Sequence, residues 1–214
     1  MARISLQAAV DEVAARDPVL ARLVAAAGPL RHRPREAGGG FGMLVRAIVY
    51  QQLAGRAAQA IHGRVLAAVG EPLTPPALAS VPDDVLRAAG LSANKLASLR
   101  DLSEKVLDGS VDLARFPRLG DDEVVARLVT VRGIGRWTAE MYLMFQLRRL
   151  DVWPVDDLGV RQGYGLAWQL DPPPTAKELL PLGDRFRPYR SVVARYCWAA
   201  VPLYRRGATE AAQR

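Results

Sequence analysis

Two glycines, Gly133 and Gly135, interrupt an otherwise helical pattern of apolar residues. A tight Gly-x-Gly turn between two helices needs residues without a Cβ, either for a positive φ or for the close approach of another group. Apolar side chains recur at helical spacing on both sides of the pair, at Val124, Val125, Leu128 and Val129 before it and at Trp137, Met141, Tyr142, Met144 and Phe145 after it. The pattern therefore predicts a helical hairpin at about residues 122–148.

The turn of this hairpin is suited to an anion. A turn that opens a helix points backbone N–H groups outward beside the positive end of the helix dipole, which favours a phosphate. Arg132 and Arg136 flank the turn and would add positive charge. Gly-x-Gly by itself is nevertheless most often just a turn between helices, so the neighbouring residues have to decide between the two interpretations.

The remainder of the chain is also patterned as helix. No stretch of useful length alternates between apolar and polar residues as a β-strand does, so the chain is predicted to be all-α. The basic, glycine-rich segment from Arg31 to Gly40 is predicted to be a loop at a lobe boundary. Helices are predicted at residues 5–27 with a break at Asp17-Pro18, as two helices in residues 41–69, from about Asp83, and from a Ser92 cap to about Asp108.

Charge and cysteine content narrow the class of partner. The 214-residue chain has a net charge of +7 and a pI near 10.1, which favours a polyanion such as nucleic acid. Lys95, Lys105 and Lys177 are the only lysines, so an arginine-rich coding bias would also explain the charge. The single cysteine excludes a disulfide framework, an iron–sulfur cluster and a cysteine zinc site, and no apolar run approaches the ~20 residues of a membrane span. An intracellular protein without a membrane partner is expected.

The glycine pair lies in a longer string that resembles the helix-hairpin-helix motif of the DNA glycosylase superfamily, Leu128-Val-Thr-Val-Arg-Gly133-Ile-Gly135-Arg-Trp-Thr-Ala-Glu-Met-Tyr-Leu-Met-Phe145. Within that superfamily, the segment from Gly133 to Ala139 is particularly similar to the DNA-3-methyladenine glycosylase II family. The resemblance continues in the expected order from about Phe41 to Trp198, through the segments Ala47–Leu53, Gly90–Lys95, Pro154–Asp157 and Arg187–Ser191.

The resemblance implies a fold and a domain organisation. Two helical lobes would flank a cleft. Residues 41–150 would form the middle lobe with the hairpin, and residues 1–40 together with 151–214 would form the second lobe from both chain ends.

Two consecutive carboxylates, Asp156 and Asp157, precede a predicted helix. An Asp before a helix is ordinarily a cap, and Asp156 is interpreted in that way. The resemblance places the catalytic carboxylate at Asp157. Cleavage of an N-glycosidic bond develops oxocarbenium-like charge on the sugar, and an ionised carboxylate beside it stabilises that charge. The same group could orient or deprotonate the attacking water, and these two roles stay open.

A base must leave the duplex to reach such a carboxylate, so a pocket is needed for it. The resemblance implies that Trp137, Tyr189 and Met141 line the pocket, and electron-rich rings suit positively charged alkylated purines. Met141 stands where another aromatic residue is expected, and Tyr189 replaces a more usual tryptophan. Core packing is an equally good interpretation for Trp137, and it is the preferred one for Tyr142, Phe145 and Trp198.

The same comparison implies the DNA-binding residues. The side chain that fills the gap left by the flipped base falls at Gln52 or Leu53, and the alignment does not separate the two. The hairpin residues expected to contact DNA are Arg132, Gly133, Gly135, Arg136 and Thr138.

A monofunctional glycosylase is implied, because bifunctional members of the superfamily carry a Schiff-base lysine where this chain has Trp137. The expected substrates are alkylated purines of the 3-methyladenine and 7-methylguanine type in double-stranded DNA, excised during base excision repair by a cytoplasmic, DNA-associated monomer. No side-chain metal site or redox cofactor is expected, although the resemblance suggests a monovalent cation at the hairpin carbonyls. The alternatives are a uracil or hypoxanthine specificity, a non-catalytic helix-hairpin-helix binding module, and a helical scaffold that is basic by coding bias.

Overall fold

The computed structural model describes the backbone of residues 4–212 and the side chains of residues 4–205, and throughout that range every regular element is a helix. None of the helices in this range has the length and hydropathy needed to cross a bilayer. The α-helices are α1 (Leu6–Arg16), α2 (Pro18–Ala27), α3 (Gly39–Tyr50), α4 (Gly55–Val69), α5 (Pro75–Ser80), α6 (Asp83–Ala88), α7 (Ala93–Leu107), α8 (Asp121–Leu128), α9 (Arg136–Met141), α10 (Leu158–Trp168), α11 (Ala176–Leu182) and α12 (Arg190–Ala212).

The helices belong to two compact units. The middle unit consists of residues 33–147 and holds α3 to α9. The terminal unit combines the chain up to His32 with the chain from Arg148 onward, and it holds α1, α2 and α10 to α12. The middle unit begins eight residues before the predicted middle lobe, 41–150, and ends three residues before it does.

A buried carboxylate, Asp17, joins several elements of the terminal unit. Its side chain caps α2 by accepting the N–H groups of Val19 at 2.8 Å and of Leu20 at 3.1 Å. The second oxygen accepts the indole N–H of Trp168 at 3.2 Å and forms an ion pair with Arg185 at 3.3 Å. Because a buried charge is stable only when paired and hydrogen-bonded, this residue fixes α2 relative to α10.

Helices α10 and α12 pack at very short range in the same unit. Gly163 of α10 lies against the backbone of Cys197 in α12, and a Cβ built on Gly163 would overlap the Cys197 carbonyl and lie 2.8 Å from its Cα. Only a residue without a side chain permits this approach. The contact brings the first turn of α10 close to the middle of α12.

Helix α7 organises the middle unit through two cationic side chains. Lys95 donates from Nζ to the Val49 carbonyl at 2.7 Å, near the end of α3, where carbonyls lack intrahelical partners. Arg100 donates to the Leu78 carbonyl at 2.7 Å and to the Val81 carbonyl, at the end of α5, and pairs with Asp83 of α6. Two side chains of α7 thus bind α3, α5 and α6 to it.

Most predicted helices are confirmed, including the Ser92 cap of α7 and the break at Asp17. The Arg31–Gly40 loop was predicted two residues too long, since α3 begins at Gly39. Gly40 lies within the first turn of α3, and it must be glycine because a Cβ there would collide with the Tyr142 hydroxyl. Helix α5 was missed because its six residues begin with two prolines, which suit a first helical turn but resemble loop sequence.

Candidate functional site

The predicted hairpin is present, with α8 and α9 joined by a turn at residues 129–135. Gly133 has φ +76°, in the left-handed region that favours glycine, and a Cβ there would lie 2.6 Å from the Ser98 Oγ. Gly135 has an ordinary φ of −94° and nothing within 4 Å of a built Cβ. The two glycines therefore have different roles: the fold requires the first, whereas the fold leaves open space at the second.

The turn is held by side chains from α7. The Asp101 Oδ2 accepts the backbone N–H of Arg132 at 2.7 Å, and the same carboxylate pairs with Lys105 at 2.7 Å. Partial burial opposes ionisation of Asp101, but the hydrogen bonds from Lys105 and from the Arg132 N–H outweigh it and lower its pKa. The carboxylate therefore stays charged and fixes the turn at neutral pH.

A second turn lies beside the hairpin in the middle unit. Gln51, which ends α3, donates from Nε2 to the Gly133 carbonyl at 2.8 Å. The next residue, Gln52, has φ +55°, which is uncommon for a residue with a side chain, and Leu53 is 38% exposed. Gln52 and Leu53, the two candidates for the residue that fills the space left by the flipped base, thus lie on a turn that is hydrogen-bonded to the hairpin. Both are exposed.

Helix α9 carries the other predicted residues of the middle unit. Trp137 is 49% exposed, which disfavours the core interpretation of this ring. Met141, one helical turn later, is buried at 8% exposure, and Thr138 is buried too. Arg136 is largely exposed and pairs with Glu140 at 3.0 Å.

The Asp157 side chain accepts hydrogen bonds from donors on two helices of the terminal unit. Asp157 is the N-cap of α10, and its Oδ1 accepts the Val160 N–H at 2.8 Å and the Trp198 indole N–H at 2.9 Å. The assignment of the cap to Asp156 was therefore wrong: α10 begins at Leu158, so the residue immediately before it provides the cap, and Asp156 is exposed in the preceding turn. Asp157 combines the capping role with its predicted catalytic role.

Tyr189 lies in the terminal unit against α1. The Arg16 guanidinium is 5.9 Å from the centre of its ring, and Glu12 hydrogen-bonds its side chain. Desolvation and the hydrogen bond to Glu12 raise the pKa of the Tyr189 hydroxyl. The hydroxyl therefore remains protonated at neutral pH, and it donates its proton to the Glu12 carboxylate.

Sequence reasoning missed three residues that support the site. Trp198 was interpreted as core, although its indole contacts Asp157, and Gln51 and Asp101 were not considered. The signals available were slight: Gln51 lies in a segment that resembles the family, and Gly159 stands two residues after Asp157. Among the side chains of residues 4–205, no group of three or more His, Cys, Asp or Glu could hold a metal ion.

Replacement of each hairpin glycine by alanine should have different consequences for stability. Gly133→Ala places a Cβ in the left-handed region and displaces the Ser98 hydroxyl, which donates to the Asn94 carbonyl at 2.9 Å. A cost of about 1–2 kcal/mol is expected, or a fall in Tm of roughly 2–8 °C. Gly135→Ala should change the Tm by about 1 °C or less. Thermal denaturation by circular dichroism measures both, and equal losses in the two variants would contradict the assignment of roles.

Comparisons with known proteins agree with the geometry. The model of the HhH-GPD superfamily base excision DNA repair proteins matches residues 45–185. DNA-3-methyladenine glycosylase 1 of Schizosaccharomyces pombe is 36% identical over 186 residues, which are 85% of this chain and 82% of that protein.

Two solved structures are similar over most of their length. The 3-methyladenine DNA glycosylase of Schizosaccharomyces pombe in complex with abasic DNA has a TM-score of 0.79 at 34% identity, covering 89% of this chain and 94% of that one. A DNA-3-methyladenine glycosidase from Bacillus halodurans has a TM-score of 0.80 at 36% identity, covering 90% and 88%. The helical hairpin, the family match and these likenesses coincide, and the chain belongs to the HhH-GPD superfamily of base excision DNA repair proteins.

Proposed function

We propose that this protein is a monofunctional DNA glycosylase that flips alkylated purines of the 3-methyladenine and 7-methylguanine type out of double-stranded DNA and releases them by hydrolysis. The observation that carries the proposal is the Asp157 carboxylate, anchored at the start of α10 by two N–H donors. The similarity of the chain to proteins named 3-methyladenine DNA glycosylases supports the choice of substrate class.

Asp157 acts on the sugar in this mechanism. As the bond between base and sugar lengthens, positive charge grows on the sugar, and a preorganised carboxylate stabilises that charge more than it stabilises the ground state. Water then adds to the sugar and loses a proton, leaving an abasic site in an intact strand. An alkylated purine is a good leaving group because it departs neutral, so the base needs little assistance from an acid.

The exposed ring of Trp137 provides a stacking surface for the flipped base. A purine alkylated at a ring nitrogen carries positive charge, and an indole face attracts a cation more strongly than the other aromatic side chains do. Met141 and Tyr189 are the other two residues that the resemblance implies for this pocket. Because residue 137 is a tryptophan and not a lysine, the chain lacks an amine at the position of the Schiff-base nucleophile of bifunctional relatives.

DNA would be bound by the hairpin and by the neighbouring turn. The backbone of Gly133 and Gly135 with Arg132 and Arg136 would contact the phosphates, and Gln52 or Leu53 would enter the duplex at the vacated position. The turn contains no acidic side chain, so a monovalent cation there would be held by carbonyl oxygens, which suit a hard cation. The protein would act as a cytoplasmic, DNA-associated monomer.

Release of free bases from methylated duplex DNA tests the proposal. The wild-type protein should release 3-methyladenine or 7-methylguanine, detected by chromatography, and the product strand should break only after treatment with alkali. Strand breaks without alkali would contradict the monofunctional assignment. No release despite salt-sensitive binding would overturn the alkylated-purine specificity, and duplexes containing uracil or hypoxanthine would then separate another specificity from a binding module.

A further inference from the structure

Two hydrogen bonds to the Asp157 carboxylate end on the same oxygen. The Val160 N–H, from the first turn of α10, and the Trp198 indole N–H, from α12, donate to Oδ1 at 2.8 and 2.9 Å. A carboxylate oxygen has two in-plane lone pairs, and these two donors occupy both of them. Oδ1 is therefore the oxygen through which α10 and α12 anchor the carboxylate.

The indole reaches Asp157 because Gly159 has no side chain. A Cβ on Gly159 would lie 2.9 Å from the Cδ1 of Trp198 and 3.1 Å from the Asp157 Oδ1, both closer than ordinary van der Waals contact. The close packing of α10 on α12 at Gly163 holds the two helices at the distance that this hydrogen bond requires. Cys197, which precedes Trp198, keeps its thiol protonated, because burial and the Asp157 charge raise the pKa of that thiol.

We propose that Trp198 is a positioning residue that fixes the rotation of the Asp157 carboxylate by anchoring its Oδ1. This inference rests on the proposed function, because it assigns atoms to the carboxylate named there. Both residues lie in the terminal unit, so the inference concerns that unit alone.

A second donor is needed because the last torsion of an aspartate is soft. Rotation about the bond between Cβ and Cγ has broad minima, so one hydrogen bond from the cap leaves the plane of the carboxylate poorly defined. Two donors that come from different helices define that plane. A carboxylate held in this way stabilises the developing charge without reorganising during the reaction, which is the condition for a large electrostatic contribution to the rate.

Trp198→Phe removes the donor and keeps a ring in its place. Single-turnover excision from a duplex with one 7-methylguanine should slow by about 10- to 100-fold, the range for losing a hydrogen bond to a charged group. The Kd for the same duplex should remain within about threefold. Trp168→Phe is the matched control, because that indole also donates to a carboxylate, Asp17, at 3.2 Å, and its excision rate should stay within about twofold of wild type.

A second variant tests the same contact from the other side. Gly159→Ala pushes the indole away from Asp157, and it should slow excision to a similar extent. The double variant, Gly159→Ala with Trp198→Phe, should be no slower than the slower single variant, because both changes break one interaction. Multiplicative losses would overturn the inference. A Trp198→Phe defect confined to the Kd would also overturn it, since the ring would then bind DNA directly.

The outcomes separate this inference from the proposed function. If wild type releases methylated bases and Asp157→Asn does not, the proposed function stands, whatever the result at Trp198. If Trp198→Phe then excises at the wild-type rate with a normal Tm, only the positioning role is overturned.

Discussion

Asp157→Asn is expected to abolish base release while it leaves the fold intact. The asparagine oxygen can still accept the N–H groups of Val160 and Trp198, and asparagine is as good an N-cap as aspartate. Only the negative charge is lost. A fall in the single-turnover excision rate of about 10³-fold or more is expected, the scale at which one preorganised electrostatic group acts in catalysis. Release of 7-methylguanine from a defined duplex measures the change.

Asp156→Asn is the matched control for this experiment. It removes the same charge from the adjacent residue, which is exposed and precedes the cap. Its excision rate should remain within about threefold of wild type. An Asp157→Asn rate within about tenfold of wild type, with normal DNA binding and a normal Tm, would show that the carboxylate does not carry the reaction.

Gly163→Ala is expected to have the largest effect on stability. The added methyl group would overlap the Cys197 carbonyl and lie 2.8 Å from its Cα, and these are backbone atoms of α12 that cannot move aside by rotation of a side chain. The two helices would have to separate. A loss of about 3 kcal/mol or more is expected, which corresponds to a fall in Tm of roughly 6–12 °C. Thermal denaturation measures this fall.

Gly63→Ala provides the control for the helical glycine. Gly63 lies within α4, and a built Cβ meets nothing within 4 Å. Alanine there should raise stability by about 0.5–1 kcal/mol, because the methyl group costs no contact and alanine favours helix. If Gly163→Ala were equally harmless, the short approach between α10 and α12 would not exist in solution.

The helices could be predicted because their signals are local. Ser92 caps α7, Asp17 caps α2 and the glycine pair separates α8 from α9, and each of these signals acts within four residues. The signals fail where local sequence is ambiguous. The two prolines at the start of α5 suit a loop as well as a first helical turn, and only packing on α7 decides between them.

The supports of the candidate site could not be predicted because they join distant parts of the chain. Trp198 lies 41 residues after Asp157, and Gln51 lies 82 residues before Gly133. An aromatic residue in an apolar helix is ordinarily part of the core. The residues next to Trp198 in α12 therefore give no sign that its indole contacts Asp157 at the start of α10. Gly163 is likewise visible in the sequence, but nothing near it predicts that the backbone of Cys197 approaches it.

Side chains hold the hairpin turn without any ligand, because Asp101 accepts the N–H of Arg132 and Gln51 donates to the carbonyl of Gly133. The entropic cost of ordering this turn is therefore part of folding and does not recur each time the protein binds a duplex. Phosphates are the same at every nucleotide, so contacts made by such a turn carry no information about damage. Contacts of the turn with intact DNA would thus be uniform along the strand, and discrimination between damaged and normal bases would fall to base extrusion and to the events that follow it.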